Sequence, residues 1–275
     1  MGSPLNHWIR FYACSAAVIL FLVLVSAAHA HDIWIEVGSP IIREGDAVKT
    51  DLLLGNHGNN HRDFKQSGKV DPKNIYCELI APDGTKYDFG ADLIDTGPDS
   101  KESYWTAQLR GSSQGLHMVV VTSDQVVKYA PTRSIKCAKT YFLVSDTLDR
   151  SSSDEKGFDR IAGVPFELVP LSNPVAPTEP GTPIKVKLLY KGKPMADTVV
   201  SFIPRGVTLA EGFDEHYERR TDAEGTASFE PGSPNDYLIV AHHNEPKEIG
   251  DSFENTKYSA TLTVKVTAKC DCCGE

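Results

Sequence analysis

Short runs of apolar residues, separated by turn-forming residues, recur along the chain from residue 32 to residue 266. The runs are rich in β-branched and aromatic residues or alternate apolar with polar positions, and glycine, proline, asparagine and aspartate separate them. Such spacing favours an all-β fold of Ig-like β-sandwiches and predicts no long helix. The predicted strands cover residues 32–37, 47–54, 75–80, 105–109, 117–122, 140–144, 184–190, 198–203, 226–229, 237–241 and 259–266.

Two segments without a periodic apolar pattern divide these strands into two groups. Residues 151–157 are polar and turn-rich, and residues 170–183 contain five prolines. Proline at this density stiffens a linker. The pattern therefore predicts two β-sandwich domains, residues 31–165 and residues 166–268, each within the usual size of a domain.

The first 30 residues have the three parts of a secretory signal peptide. Arg10 gives a positive n-region, residues 11–25 are almost wholly apolar, and Ala28-His29-Ala30 places small residues where the peptidase reads them. Cleavage after Ala30 predicts an exported protein, periplasmic or at the cell surface. An uncleaved anchor is the alternative, because the apolar run approaches the ~20 residues that span a bilayer. No later run is apolar enough to predict a second span.

The composition is acidic, with 28 Lys and Arg against 37 Asp and Glu and a formal net charge of −9. Loss of residues 1–30 removes Arg10 and no acid, so 27 basic residues remain against 37 acidic ones, a charge of −10. Nucleic acids and anionic lipids bind to clustered Lys and Arg. We therefore expect neither as a partner, whereas an acidic chain suits cations.

Five cysteines follow the signal peptide, two of them within predicted strands or beside them and three in the tail. In an oxidising compartment Cys77 and Cys137 are candidates for a disulfide, although pairing cannot be read from sequence. The Cys-rich tail, residues 269–275, contains Cys270, Cys272 and Cys273. A thiolate site for a soft metal, an oxidised inert cluster and an intermolecular crosslink all stay open for this tail.

Cleavage after Ala30 would leave His31 as the first residue of the mature chain. The α-amine and the imidazole of an N-terminal histidine close a small ring around a cation, which a histidine within the chain cannot do. Nitrogen-rich coordination suits nickel(II) and copper(II), and copper(II) stands at the top of the divalent affinity order. The start of the mature chain is therefore a candidate metal chelate.

A loop after the second predicted strand holds two more imidazoles. His57 and His61 are four residues apart in a Gly/Asn-rich stretch, which allows both rings to turn toward one point. Two solvated loop residues are the alternative. His117, at the start of a strand, is the fourth candidate ligand, with polar surface as its alternative.

The other histidines of the mature chain are interpreted as surface residues. His216 lies in a charged segment, and His242 and His243 close a strand. Because adjacent residues of a strand point to opposite faces, at most one of this pair faces any given site.

Four segments resemble the bacterial domain-of-unknown-function 4198 family, and together they cover nearly the whole mature chain. They are residues 31–36, 166–174, 192–200 and 221–229. The second half is also similar to the carboxypeptidase-regulatory or transthyretin-like β-sandwich. The resemblance implies an exported metal-related role, because many members are assigned to nickel or cobalt uptake as accessory proteins. It also carries the family's first-domain histidine over to His31.

The sequence thus predicts an exported accessory protein that binds Ni, Co or Cu through His31, His57, His61 and His117, for uptake or delivery. A membrane metal transporter is the implied partner, because the mature chain has no permease-like segment of its own. A structural or adhesive cell-surface module without metal stays open as an alternative. So does a copper-dependent oxidative enzyme, although the chain has no Gly-rich phosphate loop and no His-Glu-x-x-His motif.

Overall fold

The chain folds into strands throughout the part that the structure, a computed structural model, describes: residues 31–58, 70–96, 103–127, 130–148, 155–176 and 178–268. Those residues contain no α-helix, only 3-10 turns at Pro72–Asn74 and Gly90–Asp92, so the prediction of an all-β fold is confirmed. The strands are β1 (Asp32–Val37), β2 (Ile41–Ile42), β3 (Ala47–Gly55), β4 (Ile75–Ile80), β5 (Lys86–Asp88), β6 (Ile94–Asp95), β7 (Trp105–Arg110), β8 (Gly115–Val126), β9 (Thr132–Val144), β10 (Phe166–Pro170), β11 (Ile184–Tyr190), β12 (Lys193–Pro194), β13 (Val199–Pro204), β14 (Glu218–Arg220), β15 (Thr226–Phe229), β16 (Asn235–Glu245) and β17 (Asn255–Val266).

A long central sheet joins the strands of both halves of the chain. Its order is β14-β13-β16-β17-β9-β8-β4-β5, with β2 added beside β9. A second sheet, β1-β3-β7-β6, and a third, β10-β11-β12 with β15 beside β11, complete the fold. Sheets bury their apolar faces against one another, so the central sheet has a partner for each face.

Alternate residues of the central strands enter two different cores. Val120 belongs to the core shared with the third sheet, whereas Val119 and Val121 belong to the core shared with β1, β3 and β7. Successive side chains of a strand point to opposite faces, which explains this division. Because both faces are covered, residues 116–121 of β8 and residues 137–144 of β9 are all buried.

Parallel pairing between β17 and β9 connects the two halves of the central sheet. Asn255 to Leu262 pair in register with Thr132 to Lys139. The predicted division between residues 165 and 166 precedes β10 directly, and it stays a prediction. What the structure adds is that one sheet runs through both halves.

A buried ion pair lies between β9 and β10. The Lys139 Nζ is 2.7 Å from the Glu167 Oε1, and the two side chains are 2% and 1% exposed. The Glu167 carboxylate also accepts hydrogen bonds from the backbone N–H groups of Ala162 and Gly163. Its charge is therefore fully compensated, as a buried carboxylate requires.

Strand β1 is fixed to the central sheet by side chains. The Thr261 hydroxyl donates to the Ile33 carbonyl at 2.8 Å, and the Thr263 hydroxyl donates to the Ile35 carbonyl at 2.7 Å. Main-chain pairing joins β1 to β3 on its other edge. The threonines thus satisfy carbonyls that an edge strand would otherwise leave unpaired.

The two strand cysteines are free, buried thiols. Cys77 lies in the core with β1 and β3, whereas Cys137 lies in the opposite core, and β8 separates their strands. Strands are about 4.8 Å apart, so two strand spacings and opposite faces are beyond the reach of one disulfide. The Cys77–Cys137 disulfide that the sequence left open is therefore absent from this fold.

Candidate functional site

The start of β1 brings a carboxylate and an imidazole together beside His31. The His242 Nε2 donates to the Asp32 carboxylate, 2.9 Å from Oδ1. Asp32 is buried, whereas the His242 side chain is half-exposed. His31 itself is partly exposed, and its carbonyl accepts a hydrogen bond from the Lys136 ammonium.

The register of the central sheet explains why these groups meet. His242 of β16 pairs with Ser259 of β17, which pairs with Lys136 of β9. Residues directly across neighbouring strands point to the same face, so the three side chains form one row. Strand β1 crosses this row with its first residues.

Charge and burial shift the pKa values of Asp32 and His242 in opposite directions. Burial alone would raise the pKa of Asp32, but the charge and hydrogen bond of His242 outweigh it, so that pKa is lowered. The Asp32 charge raises the pKa of His242 against the effect of burial. The pair is therefore ionised over a wider pH range than its isolated members.

His57 is held away from this junction. Its ring is 3% exposed, its Nε2 donates to the Asp236 carbonyl at 3.0 Å, and it meets the Trp34 ring edge-on. Burial lowers the pKa of His57, which keeps the ring neutral near pH 7. Asp236 and His242 are six residues apart on β16, or about 20 Å at the usual strand rise.

His117 lies inside a core, not on polar surface at a sheet edge. Strand β8 is central, and the ring is fully buried and stacked on Phe142 with centroids 4.9 Å apart. Its Nδ1 donates to the Gly115 carbonyl, while its Nε2 has no hydrogen-bond partner among the described residues. Burial lowers the pKa of His117.

The structure therefore does not bring His31, His57 and His117 together. In the described ranges there is no group of three His, Cys, Asp or Glu side chains placed to hold a metal ion. His61 and the Cys-rich tail lie outside the described residues, as does the predicted signal peptide. Metal binding by these segments stays a prediction.

Asp32 and His242 are the polar pair that sequence reasoning missed. They are 210 residues apart, and only the crossing of β1 over β16 places them in contact. The signal in the sequence was the alternation rule for His242 and His243, which puts one of the two on each face of the sheet. It gave no indication of which face met His31.

A serine motif in the chain has no catalytic setting. Residues 111–115 have the Gly-x-Ser-x-Gly spacing, but they connect β7 to β8. A nucleophile elbow needs a strand, a sharp turn and then a helix. This segment lacks the helix.

Comparison with known proteins gives a family and remote similarity to solved structures. No curated protein matches the chain. A DUF4785 family protein from Legionella pneumophila is 13% identical with a TM-score of 0.27, covering 84% of this chain and 56% of that one. Salmonella alpha-2-macroglobulin reacted with methylamine is 11% identical with a TM-score of 0.26, covering 87% and 15%. The Yersinia pseudotuberculosis adhesin InvE is 14% identical with a TM-score of 0.22, covering 86% and 59%.

This chain thus spans 56% of the Legionella protein and 15% of the Salmonella one. Similarity this weak carries no argument about function. Across the described residues, no helix is long and apolar enough to cross a membrane. Residues 28–245 match the family described as domain of unknown function DUF4198. The match covers most of the chain and includes His31, β10 and the whole of β16. The chain belongs to the DUF4198 family.

Proposed function

We propose that this chain is an exported protein that binds a divalent transition metal, nickel, cobalt or copper, and serves its uptake or delivery. The metal is held by the α-amine and imidazole of an N-terminal His31 together with His242. A membrane metal transporter is the partner that would receive it. The observation that carries the proposal is the Asp32–His242 hydrogen bond directly beside His31.

Histidines that bind metals almost always donate their second ring N–H to a carboxylate, a backbone carbonyl or a water, which fixes the ring and its tautomer. His242 has this arrangement, because its Nε2 is occupied by Asp32 and its Nδ1 is left as the electron-pair donor. The half-exposed ring is accessible to an ion from solvent. This supports His242 as a ligand over the buried His57 and His117.

The donor set suits the proposed metals. Two nitrogens from His31 and one from His242 make a nitrogen-rich site, which nickel(II) and copper(II) prefer. Lys136 fixes the His31 carbonyl, so the terminus is already positioned before an ion arrives. His61 is a candidate for a further nitrogen.

The test compares protein that starts at His31 with the variant His31→Ala, which starts at the same position. Calorimetric titration with copper(II), nickel(II) or cobalt(II) should show a Kd at least ~10-fold weaker for the variant, because the chelate ring cannot close without the imidazole. His242→Asn should weaken binding by a similar factor. His216→Asn, which changes an exposed histidine elsewhere, is the matched control and should bind normally.

Two further measurements separate the candidate ligands. Affinity should fall as the pH falls below neutral, because the ion has to displace protons from its nitrogen ligands, and the Asp32 charge raises the pKa of the His242 imidazole. In electron paramagnetic resonance of the copper form, nitrogen hyperfine structure should persist after deletion of Cys270 to Glu275. Equal affinity of the native chain and the His31→Ala variant, or loss of binding with the tail, would overturn the proposal.

A further inference from the structure

A polar cleft lies on the other side of the central sheet from His31. Arg133 of β9, Tyr258 of β17, the turn after β11 and Glu248 surround a volume of about 410 Å³. Tyr258 and His243 occupy the register positions next to Ser259 and His242, so they point to the opposite face. A volume of this size is typical of sites for small molecules.

The cleft presents charges of both signs. The Glu248 carboxylate is 3.4 Å from the Lys191 ammonium and 3.9 Å from the Arg133 Nη1, and it accepts a hydrogen bond from the Tyr258 hydroxyl. Arg133 uses its Nε and Nη2 for Asp124, which leaves Nη1 toward the cleft. The charged side chains of this group are all partly exposed, so a ligand can replace one of their present partners. They are Arg133, Asp124, Lys191 and Glu248.

Lys191 has an unfavourable backbone conformation at this place. It has a φ of 50° and Gly192 a φ of 75°, and the two form the loop between the paired residues Tyr190 and Lys193. Such a turn favours asparagine or glycine, and the left-handed region costs other residues roughly 1–2 kcal/mol. Strained residues gather at ligand sites. Here the turn places the ammonium 5.0 Å from the centre of the Tyr190 ring, at the rim of the cleft.

We propose that this cleft binds a small zwitterion of the α-amino-acid class. The ligand carboxylate pairs with Lys191 and Arg133, its ammonium pairs with Glu248, and an apolar side chain lies on Val164 and Pro165. A simple anion would face Glu248, and a simple cation would face Lys191 and Arg133. A ligand with both charges pairs with Lys191 and Arg133 and also with Glu248. No charge is then left without a partner in a site with limited water, where an unpaired charge is costly.

The experiment titrates the mature protein with L-leucine and with its two single-charge analogues, isocaproate and isoamylamine. Leucine should release or absorb heat with a saturable curve. Each analogue should bind at least about tenfold more weakly, the effect of losing one hydrogen bond to a charged group. Glucose serves as an uncharged probe and should not bind.

The variant Lys191→Asn separates binding from folding. Asparagine suits the left-handed turn, so the variant should unfold at a higher urea concentration than the parent protein and yet lose leucine binding about tenfold or more. Lys49→Gln, which changes an exposed lysine on β3, should leave both properties unchanged. Isocaproate that binds as tightly as leucine, saturable glucose binding, or no leucine heat at millimolar concentration would each overturn the proposal.

Discussion

The pKa values of three histidines shift in different directions because their surroundings differ. His242 is paired with a carboxylate, and its pKa is raised. His57 and His117 are buried without an acidic partner in hydrogen-bond contact, and burial lowers the pKa of both. Only the first of the three gains a proton more readily in the folded chain than in the unfolded one.

We expect His117 to make the protein less stable in mild acid. Its pKa in the folded state is lowered from ~6.5, so the unfolded chain takes up a proton first as the pH falls. The free energy of unfolding therefore decreases below about pH 6.5, until the folded state is protonated as well. His117→Asn retains a donor for the Gly115 carbonyl but does not titrate.

Urea unfolding of both proteins at about pH 7 and about pH 5 checks this. The variant is expected to be less stable at both pH values, because it is smaller, but to lose less stability between them than the parent. An identical loss in both proteins would mean that other groups cause the pH dependence.

The two strand cysteines should be inert in the native protein. Burial raises the pKa of Cys77 to about 12 and that of Cys137 to about 11, so almost no thiolate is present near pH 7. Alkylation with iodoacetamide followed by peptide mapping should label neither residue in the folded chain and both in urea. A linked Cys77–Cys137 peptide would contradict the fold.

At the scale of strands, the sequence pattern predicts the bounds of those strands that follow the local alternation of apolar and polar residues. β1, β4, β11 and β15 have the predicted bounds. β8 and β9 are longer than predicted, because they continue through polar residues such as Ser123 and Ser134, which pair with neighbouring strands. Tertiary pairing, which a single sequence does not reveal, overrides local propensity there.

In the candidate site, too, some features follow from local sequence and others only from how the strands pair. The proposed chelate at His31 depends on local sequence alone, so the sequence was enough to propose it. Its neighbours Asp32 and His242 meet through the register of β16 and the course of β1, which no local pattern encodes. His57 had a plausible spacing, but its ring forms a hydrogen bond with the Asp236 backbone on β16.

The threonine contacts to β1 have a measurable effect of their own. Thr261→Val removes the hydroxyl that binds the Ile33 carbonyl and keeps the shape of the side chain. A buried carbonyl without a partner costs about 1–3 kcal/mol, so urea unfolding should show a loss of that size. Hydrogen exchange in β1 should also become faster.

Thr226→Val, on the half-exposed strand β15, is the matched control and should change stability little. If Thr261→Val and Thr226→Val have the same effect, the hydroxyl contact with β1 contributes nothing specific.

At the scale of the whole molecule, the shared sheet joins what the sequence presents as two domains. β9 belongs to the first predicted domain and β17 to the second, yet they are neighbours in one sheet. The buried Lys139–Glu167 pair crosses the same junction, and breaking such a pair costs about 3–5 kcal/mol. Neither half reaches its full set of contacts without the other.

We therefore expect one cooperative unfolding transition for both halves. In protein that starts at His31 the tryptophans are Trp34 and Trp105, both in the first half, so their fluorescence reports on that half alone. Far-UV circular dichroism reports on the strands of both. The two probes should give the same urea midpoint, as two-state behaviour requires. Separate midpoints would indicate two independent domains.

The parallel pairing of β17 with β9 also bears on solubility. A chain cut after residue 165 would lose β17 and leave the backbone groups of Thr132 to Lys139 along an open sheet edge. It would also expose apolar residues such as Ile135 and Tyr141, which the third sheet and β17 now cover. Long unprotected edges with apolar faces recruit further strands and aggregate. We therefore expect the second half of this protein to protect the first half from aggregation, because it covers this edge and these apolar residues.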